Sequence, residues 1–163
     1  MTISEAVFVF PVSYDEKYGW LTLFGKRLKE GPAKGKRVPP MGRREKIKIL
    51  GIETPFKESC KRTAKREFNE ETDKALKVKN FKHVGDIVDK SYEPNVEWHI
   101  RVYAAFVSKI KHPMKSNDEM EIDNSWYNLG LEDYLRKNGL MNETTSRAFK
   151  MVSEYLKSKK ARY

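Results

Sequence analysis

The sequence predicts an α+β or α/β/α layered domain. Three observations carry that expectation. β-friendly runs and helical stretches follow one another in the order strands, helix, strands, helix. No apolar run approaches the ~20 residues needed to span a bilayer. The 163 residues, 39% hydrophobic and 34% charged, leave room for one sizeable core beneath a heavily charged surface.

Taken in order, Ala6-Val7-Phe8-Val9-Phe10-Pro11-Val12 is a short apolar run that suits a buried strand. Tyr14-Asp15-Glu16-Lys17-Tyr18-Gly19 reads as a turn. Residues 20–27, rich in aromatic and apolar side chains, read as the next strand. Gly31, Pro32, Gly35, Pro39, Pro40 and Gly42 then argue against a long helix. Thr54-Pro55 has the form of a helix start, Thr as N-cap and Pro at the first helical position, with the helix running to about Thr72. Strands are expected over 81–89, 98–107 and 125–129. A final helix is expected over about 143–160, where Ala148, Val152, Tyr155 and Leu156 recur at helical spacing. Lys157, Lys159 and Lys160 near its C-terminus suit the helix dipole. The expected organisation is a single domain over 1–163 with a basic loop insertion at about 28–57.

The one cysteine, Cys60, rules out an internal disulfide and points to a reducing, cytoplasmic setting. The first residues, Met1-Thr2-Ile3-Ser4-Glu5, lack the basic stretch of a secretory leader. The net charge of +10 is unevenly placed. Between Gly25 and Lys48 stand Lys26, Arg27, Lys29, Lys34, Lys36, Arg37, Arg43, Arg44, Lys46 and Lys48, opposed only by Glu30 and Glu45. Such a segment is either a solvated lysine-rich face or a site for phosphates or RNA. No membrane partner is implied.

On a helical wheel of about 100° per residue with Cys60 at zero, Ala64 and Phe68 fall near 40° and 80°, an apolar stripe facing the core. Lys61, Arg62, Lys65, Arg66, Asn69 and Thr72 fall on the opposite, solvent side. Glu67 and Glu71 land near −20° and 20°, and Glu70 near −80°, on and beside the core stripe. Clustered carboxylates turned toward a core repel one another and lose hydration. A divalent cation would relieve both penalties, since magnesium takes hard oxygen ligands. A rotated helix whose glutamates pair with lysines is the alternative.

Glu58, a seven-residue gap, and Arg66-Glu67-Phe68-Asn69-Glu70-Glu71 resemble the signature of the Nudix hydrolases at every fixed position from Glu58 to Glu71. The resemblance implies the family's α/β/α sandwich with a mixed β-sheet, and Mg2+-dependent hydrolysis of nucleoside diphosphate-linked substrates, with Mn2+ as a substitute. It implies Glu67, Glu70 and Glu71 as catalytic metal ligands, and Glu58 and Arg66 as supports of the loop–helix–loop. Asn117-Asp118-Glu119-Met120 resembles a region of MutT-type triphosphatases that supplies a further catalytic carboxylate, here Glu119. Arg27 resembles a phosphate-contacting position.

The chain departs from the pattern in two places. Asp73 stands where the family has glycine after the double glutamate, and the first glycine is displaced. Gly51 precedes Glu58 by one residue too many. Pro40-Met41-Gly42-Arg43 resembles the family's Pro-x-Gly-Lys entry but requires ten extra residues. The second alignment is preferred, making Gly42 and Arg43 phosphate-binding and residues 44–57 a lengthened loop.

His83, His99 and His112 form no ligand spacing, Cys60 is expected in the core, and Trp20, Trp98 and Trp126 could pack or stack a base. The leading functional reading is a MutT-like hydrolase of nucleoside triphosphates, including oxidised ones. Alternatives are hydrolysis of RNA 5′ ends or caps, of dinucleoside or inositol polyphosphates, and a non-catalytic RNA-binding module.

Overall fold

In the computed structural model, which describes residues 1–31, 33–72, 76–108 and 120–159, β1 (Thr2–Asp15) is the spine of a seven-stranded mixed sheet. It runs parallel to β8 (Val96–Val107) from Thr2↔Val96 to Val12↔Phe106, and β8 continues antiparallel to β7 (Val78–Asp89). The other side of β1 is shared. Its middle, Ala6–Phe8, pairs with β4 (Met41–Arg43), and its end with β2 (Gly19–Arg27). β2 in turn pairs with β3 (Arg37–Val38) and with β9 (Met120–Asn128).

Helices cover both faces of this sheet. β1 is therefore buried without a break from Ala6 to Ser13, as a strand covered on both sides should be. Alternate residues serve alternate layers. Phe8, Phe10 and Val12 pack with Phe24 and Val102 against Phe149, Val152 and Leu156 of α3 (Glu143–Lys157). Phe149 stacks on Phe10 at 6.0 Å and meets Phe24 edge-on at 5.1 Å. Val7 and Val9 face the other way, packing with Leu23, Val38 and Tyr103 against Ala64 and Phe68 of α1 (Cys60–Glu71). The α+β sandwich with a mixed sheet is the arrangement expected from sequence. β9 passes into a 3-10 turn (Leu129–Leu131), and a short α2 (Glu132–Lys137) leads to α3.

Thr54-Pro55 does not start α1. Both residues lie in β6 (Ile52–Lys57), which pairs with β5 (Lys46–Ile49) in a separate two-stranded sheet. The expected lengthened loop at 44–57 is this hairpin. Its turn is Leu50-Gly51, both with positive φ, 51° and 78°, the geometry of a tight two-residue hairpin turn. A residue before proline is biased to extended backbone, so Thr54-Pro55 suits a strand as well as it suits a helix start. The helix begins instead at Ser59, whose hydroxyl accepts from the Arg62 amide at 3.2 Å.

Two wheel positions also differ. Thr72 was expected on the solvent side but is buried, because as C-cap its hydroxyl turns back to donate to the Phe68 carbonyl at 2.6 Å. Cys60, expected in the core, is half-buried at its margin, because it opens the helix rather than sitting mid-stripe. The expected strand at 125–129 is the last part of β9, with Leu129 already in the 3-10 turn.

Candidate active site

α1 presents its glutamates to a cleft of about 920 Å3 between the helix, β4 and the loop joining β7 to β8. The wall contains Glu67, Glu70 and Glu71 together with Arg27, Gly42, Arg43 and Arg66. Residues separated by more than forty positions thus line one cavity. β2 delivers Arg27, β4 delivers Gly42 and Arg43, and α1 delivers the carboxylates.

The three glutamates differ in environment. Glu71 is 4% exposed, and its Oε2 accepts from the Met41 amide at 3.0 Å, which ties the helix to β4. The Glu67 side chain is 12% exposed and accepts from Arg66 Nη1 at 2.6 Å. Burial pushes the Glu67 carboxyl up to about 7, with the Arg66 guanidinium opposing the shift. Glu70 is 58% exposed and accepts from Arg66 at 3.3 Å.

Arg66 is the hub of the arrangement. Its Nη2 donates to Glu58 Oε1 at 2.7 Å and to the Arg43 carbonyl at 3.0 Å. Glu58, 5% exposed, also accepts from the Glu45 amide at 3.2 Å. Burial works against the Arg66 charge, but Glu58 and Glu67 outweigh it and hold the guanidinium protonated. For Glu58, burial raises the carboxyl while Arg66 and the Glu45 amide more than reverse it, leaving it below the usual carboxylate range.

Gly42 is where the strand passes against the helix. A Cβ there would coincide with the Glu67 carboxyl. Glycine leaves that place free, and a larger residue would have to push the flexible end of Glu67 aside. Gly51, the other candidate for this position, sits at the hairpin turn with open space around it. Of the two glycines, Gly42 is the one that lies against the glutamates.

The residues present fit a hard divalent cation in kind. Three carboxylates within two turns of one helix open onto a shared cleft, and Gly42 leaves just enough room for one of them. Among the described residues no three carboxylates, histidines or cysteines converge on a metal position, and Glu67 and Glu70 both pair with Arg66.

The opposite wall was not singled out from sequence, apart from Trp98 as one of three candidate stacking residues. Tyr92, Glu93 and Pro94 of the β7–β8 loop line it with Trp98, Ile100, Phe8 and Met41. Arg43 lies over the Trp98 ring at 4.7 Å, and Tyr92 meets that ring edge-on at 6.0 Å. The Trp98 indole N–H is buried and has no hydrogen-bond partner among the described residues. Trp20 packs edge-on against Phe106 at 5.7 Å, and Trp126 packs on the α1 side of the sheet. Asp73, His112 and Glu119 lie outside the described residues. His83 and His99 are on the surface, paired with Asp86 and Glu97.

The basic segment is less open than its composition suggested. Lys34 pairs with Glu30, Arg44 with Glu5 at 2.7 Å, and Lys46 with Glu53 at 3.1 Å. Lys36 donates to the Gly139 carbonyl. Arg27, Lys29 and Arg43 line the cleft, Arg43 with Glu93 3.8 Å away.

No protein-family model and no curated protein sequence matches the chain. Solved structures do. The NUDIX domain of Shewanella oneidensis NrtR complexed with ADP ribose superposes with a TM-score of 0.68 at 16% identity, over 96% of this chain and 90% of that one. A NUDIX hydrolase from Alicyclobacillus acidocaldarius gives 0.69 at 14% identity, over 98% and 97%. A MutT NUDIX hydrolase from Burkholderia pseudomallei gives 0.65 at 19% identity, over 93% and 99%. With its sheet order, its two flanking helices and the cleft at α1, the chain has the fold of the Nudix hydrolases.

Proposed function

We propose that the protein is a Mg2+-dependent pyrophosphohydrolase that cleaves a nucleoside diphosphate linkage, with nucleoside triphosphates as the leading substrates. The observation that carries this reading is the placement of Glu67, Glu70 and Glu71 on one cleft wall with Arg27, Lys29 and Arg43 around it. Carboxylates and cations side by side suit a substrate that is itself polyanionic and brings a cation with it. A bound divalent ion would supply Lewis-acid polarisation of a phosphoryl oxygen and a more acidic attacking water.

The chain's own residues have separable roles. Arg27, Lys29 and Arg43 orient the phosphate chain and offset its charge. Glu67, Glu70 and Glu71 hold the cation, and one of them, or Glu119, accepts the proton of the attacking water. Trp98 and Tyr92 offer an aromatic wall to the nucleoside end. Arg66 and Glu58 keep the helix and β4 in register. The same cleft suits ADP-ribose, which the S. oneidensis relative carries. Among the described residues no helix is long and apolar enough to cross a membrane, and a cytoplasmic setting is part of this proposal on the strength of the single cysteine.

RNA 5′ ends and other polyphosphates remain the second reading, resting on the basic segment 25–48. The pairing of Lys34, Arg44 and Lys46 within the fold weighs against an extended RNA track. The deciding experiment is a panel of nucleoside triphosphates, ADP-ribose, dinucleoside polyphosphates and capped RNA with Mg2+ or Mn2+, with product identification. Cleavage of a free nucleotide into two phosphate-ended products supports the proposal. Cleavage of capped RNA alone moves the assignment to the second reading. Tight binding without turnover under either metal makes the protein a binding module.

A further inference from the structure

The β5–β6 hairpin carries a cluster of exposed apolar side chains. Ile49, Leu50, Ile52 and Phe56 are 62%, 97%, 72% and 71% exposed. Ile49 and Ile52 are register partners and so share a face, while Lys48 and Glu53 pair on the opposite one, where Lys46 reaches Glu53 at 3.1 Å. One face of the hairpin is apolar and the other is charged.

This hairpin is a sheet of its own, tied to the body at its base. Arg44 donates to Glu5 and to the Glu58 carbonyl, and Lys57 reaches Glu5 at 3.1 Å. A lone two-stranded hairpin is marginal in water without something against its apolar face. The four side chains offer on the order of 500 Å2 of apolar surface, comparable with the largest patch on an ordinary monomer.

We propose that this face is a self-association surface, covered by the same hairpin of a second copy of the chain across a two-fold axis. Area supports this occupant. Two such patches facing each other bury about 1,000 Å2, where specific interfaces begin. Charge at the tip favours it over an anionic lipid surface. Of the hairpin's three lysines, Lys46 and Lys57 at its base are already paired with Glu53 and Glu5, which leaves Lys48 near the tip as the cation to offer a membrane. An isologous contact also needs no partner beyond the chain itself.

The hairpin is spliced between two residues of the site frame. Glu45 precedes β5 and lies 3.6 Å from Arg66, and Glu58 follows β6. Association at the tip therefore braces the strand ends that hold Arg66.

The test is sedimentation velocity of the full chain from nanomolar to near-millimolar concentration, beside Ile52→Lys and the double variant Leu50→Asn/Phe56→Lys. These residues are exposed, so far-ultraviolet circular dichroism and melting should match the parent in dilute solution. The expected result is a monomer–dimer equilibrium in the parent, with Kd raised about tenfold or more by each variant. A parent that stays monomeric throughout overturns the proposal. So does a dimer whose Kd is unchanged in both variants. Binding of the monomer to anionic phosphatidylserine vesicles, lost in Ile52→Lys, assigns the face to lipid and equally overturns it.

Discussion

Arg66 Nη2 and Glu58 Oε1 meet at 2.7 Å, and through this contact the turn before α1 grips the helix one residue ahead of its first cleft glutamate. Both partners are largely withdrawn from water, and Glu58 is almost fully buried. Removing the cation leaves a buried carboxylate uncompensated. Arg66→Ala should cost about 3–5 kcal/mol, read as a lowered denaturation midpoint. Arg66→Lys should recover only part of that, since one ammonium cannot serve Glu58, Glu67 and the Arg43 carbonyl together. A midpoint in Arg66→Ala equal to the parent's would show the contact to be energetically empty.

Glu70 separates stability from activity. Its side chain is more than half exposed and its contact with Arg66 is long. Glu70→Gln should leave the melting temperature within about 2 °C of the parent, as exposed substitutions do, while turnover falls by two orders of magnitude or more. Full turnover in this variant would remove Glu70 from the proposed metal set.

Gly42→Ala tests the close approach of β4 to α1. The backbone at Gly42 is not in the left-handed region, so the substitution adds a methyl group without twisting the chain. That methyl occupies the place of the Glu67 carboxyl, which must move. Activity should drop at least tenfold, with a stability loss of about 1–3 kcal/mol from overpacking. An alanine variant with parental kinetics would mean that the position of Glu67 does not matter.

Asp89 predicts the acid behaviour of the fold. It accepts from the Ser91 and Tyr92 amides at 2.7 and 3.1 Å, from the Ser91 hydroxyl at 2.8 Å and from the Thr144 hydroxyl. Burial raises its carboxyl, but these bonds outweigh burial and hold it below the usual aspartate range. A depressed folded pKa contributes stability that is fully present above the unfolded value of about 3.9 and is lost as pH falls through the folded value. Denaturation midpoints measured from pH 7 down to pH 2 should show this loss, and Asp89→Asn should be flatter across the same range. Because Asp89 fastens the loop that carries Tyr92 to the cleft, the variant should also raise KM more than it lowers kcat. An identical acid profile in parent and variant would exclude Asp89 from the acid response.

The sequence by itself determined what is periodic and local. The wheel placed Glu67 and Glu71 on the core side of α1 and Ala64 and Phe68 beneath them, because helix geometry alone decides which residues share a face. The unbroken apolar run of β1 likewise announced a strand covered on both sides. The start of α1 was misread because Thr54-Pro55 satisfies the local rule for a helix cap, while strand pairing across Leu50-Gly51 placed it in β6. The sequence preferred Gly42 to Gly51, and tertiary structure added a physical reason, since Gly42 lies against Glu67, a residue distant in sequence. Tertiary structure also brought Tyr92 and Glu93 to the wall facing the glutamates and engaged Lys34, Arg44 and Lys46 of a basic segment that composition left open. Facing within one element follows from the repeat of the backbone. A cleft is assembled from several elements, and sheet register decides which of their residues meet.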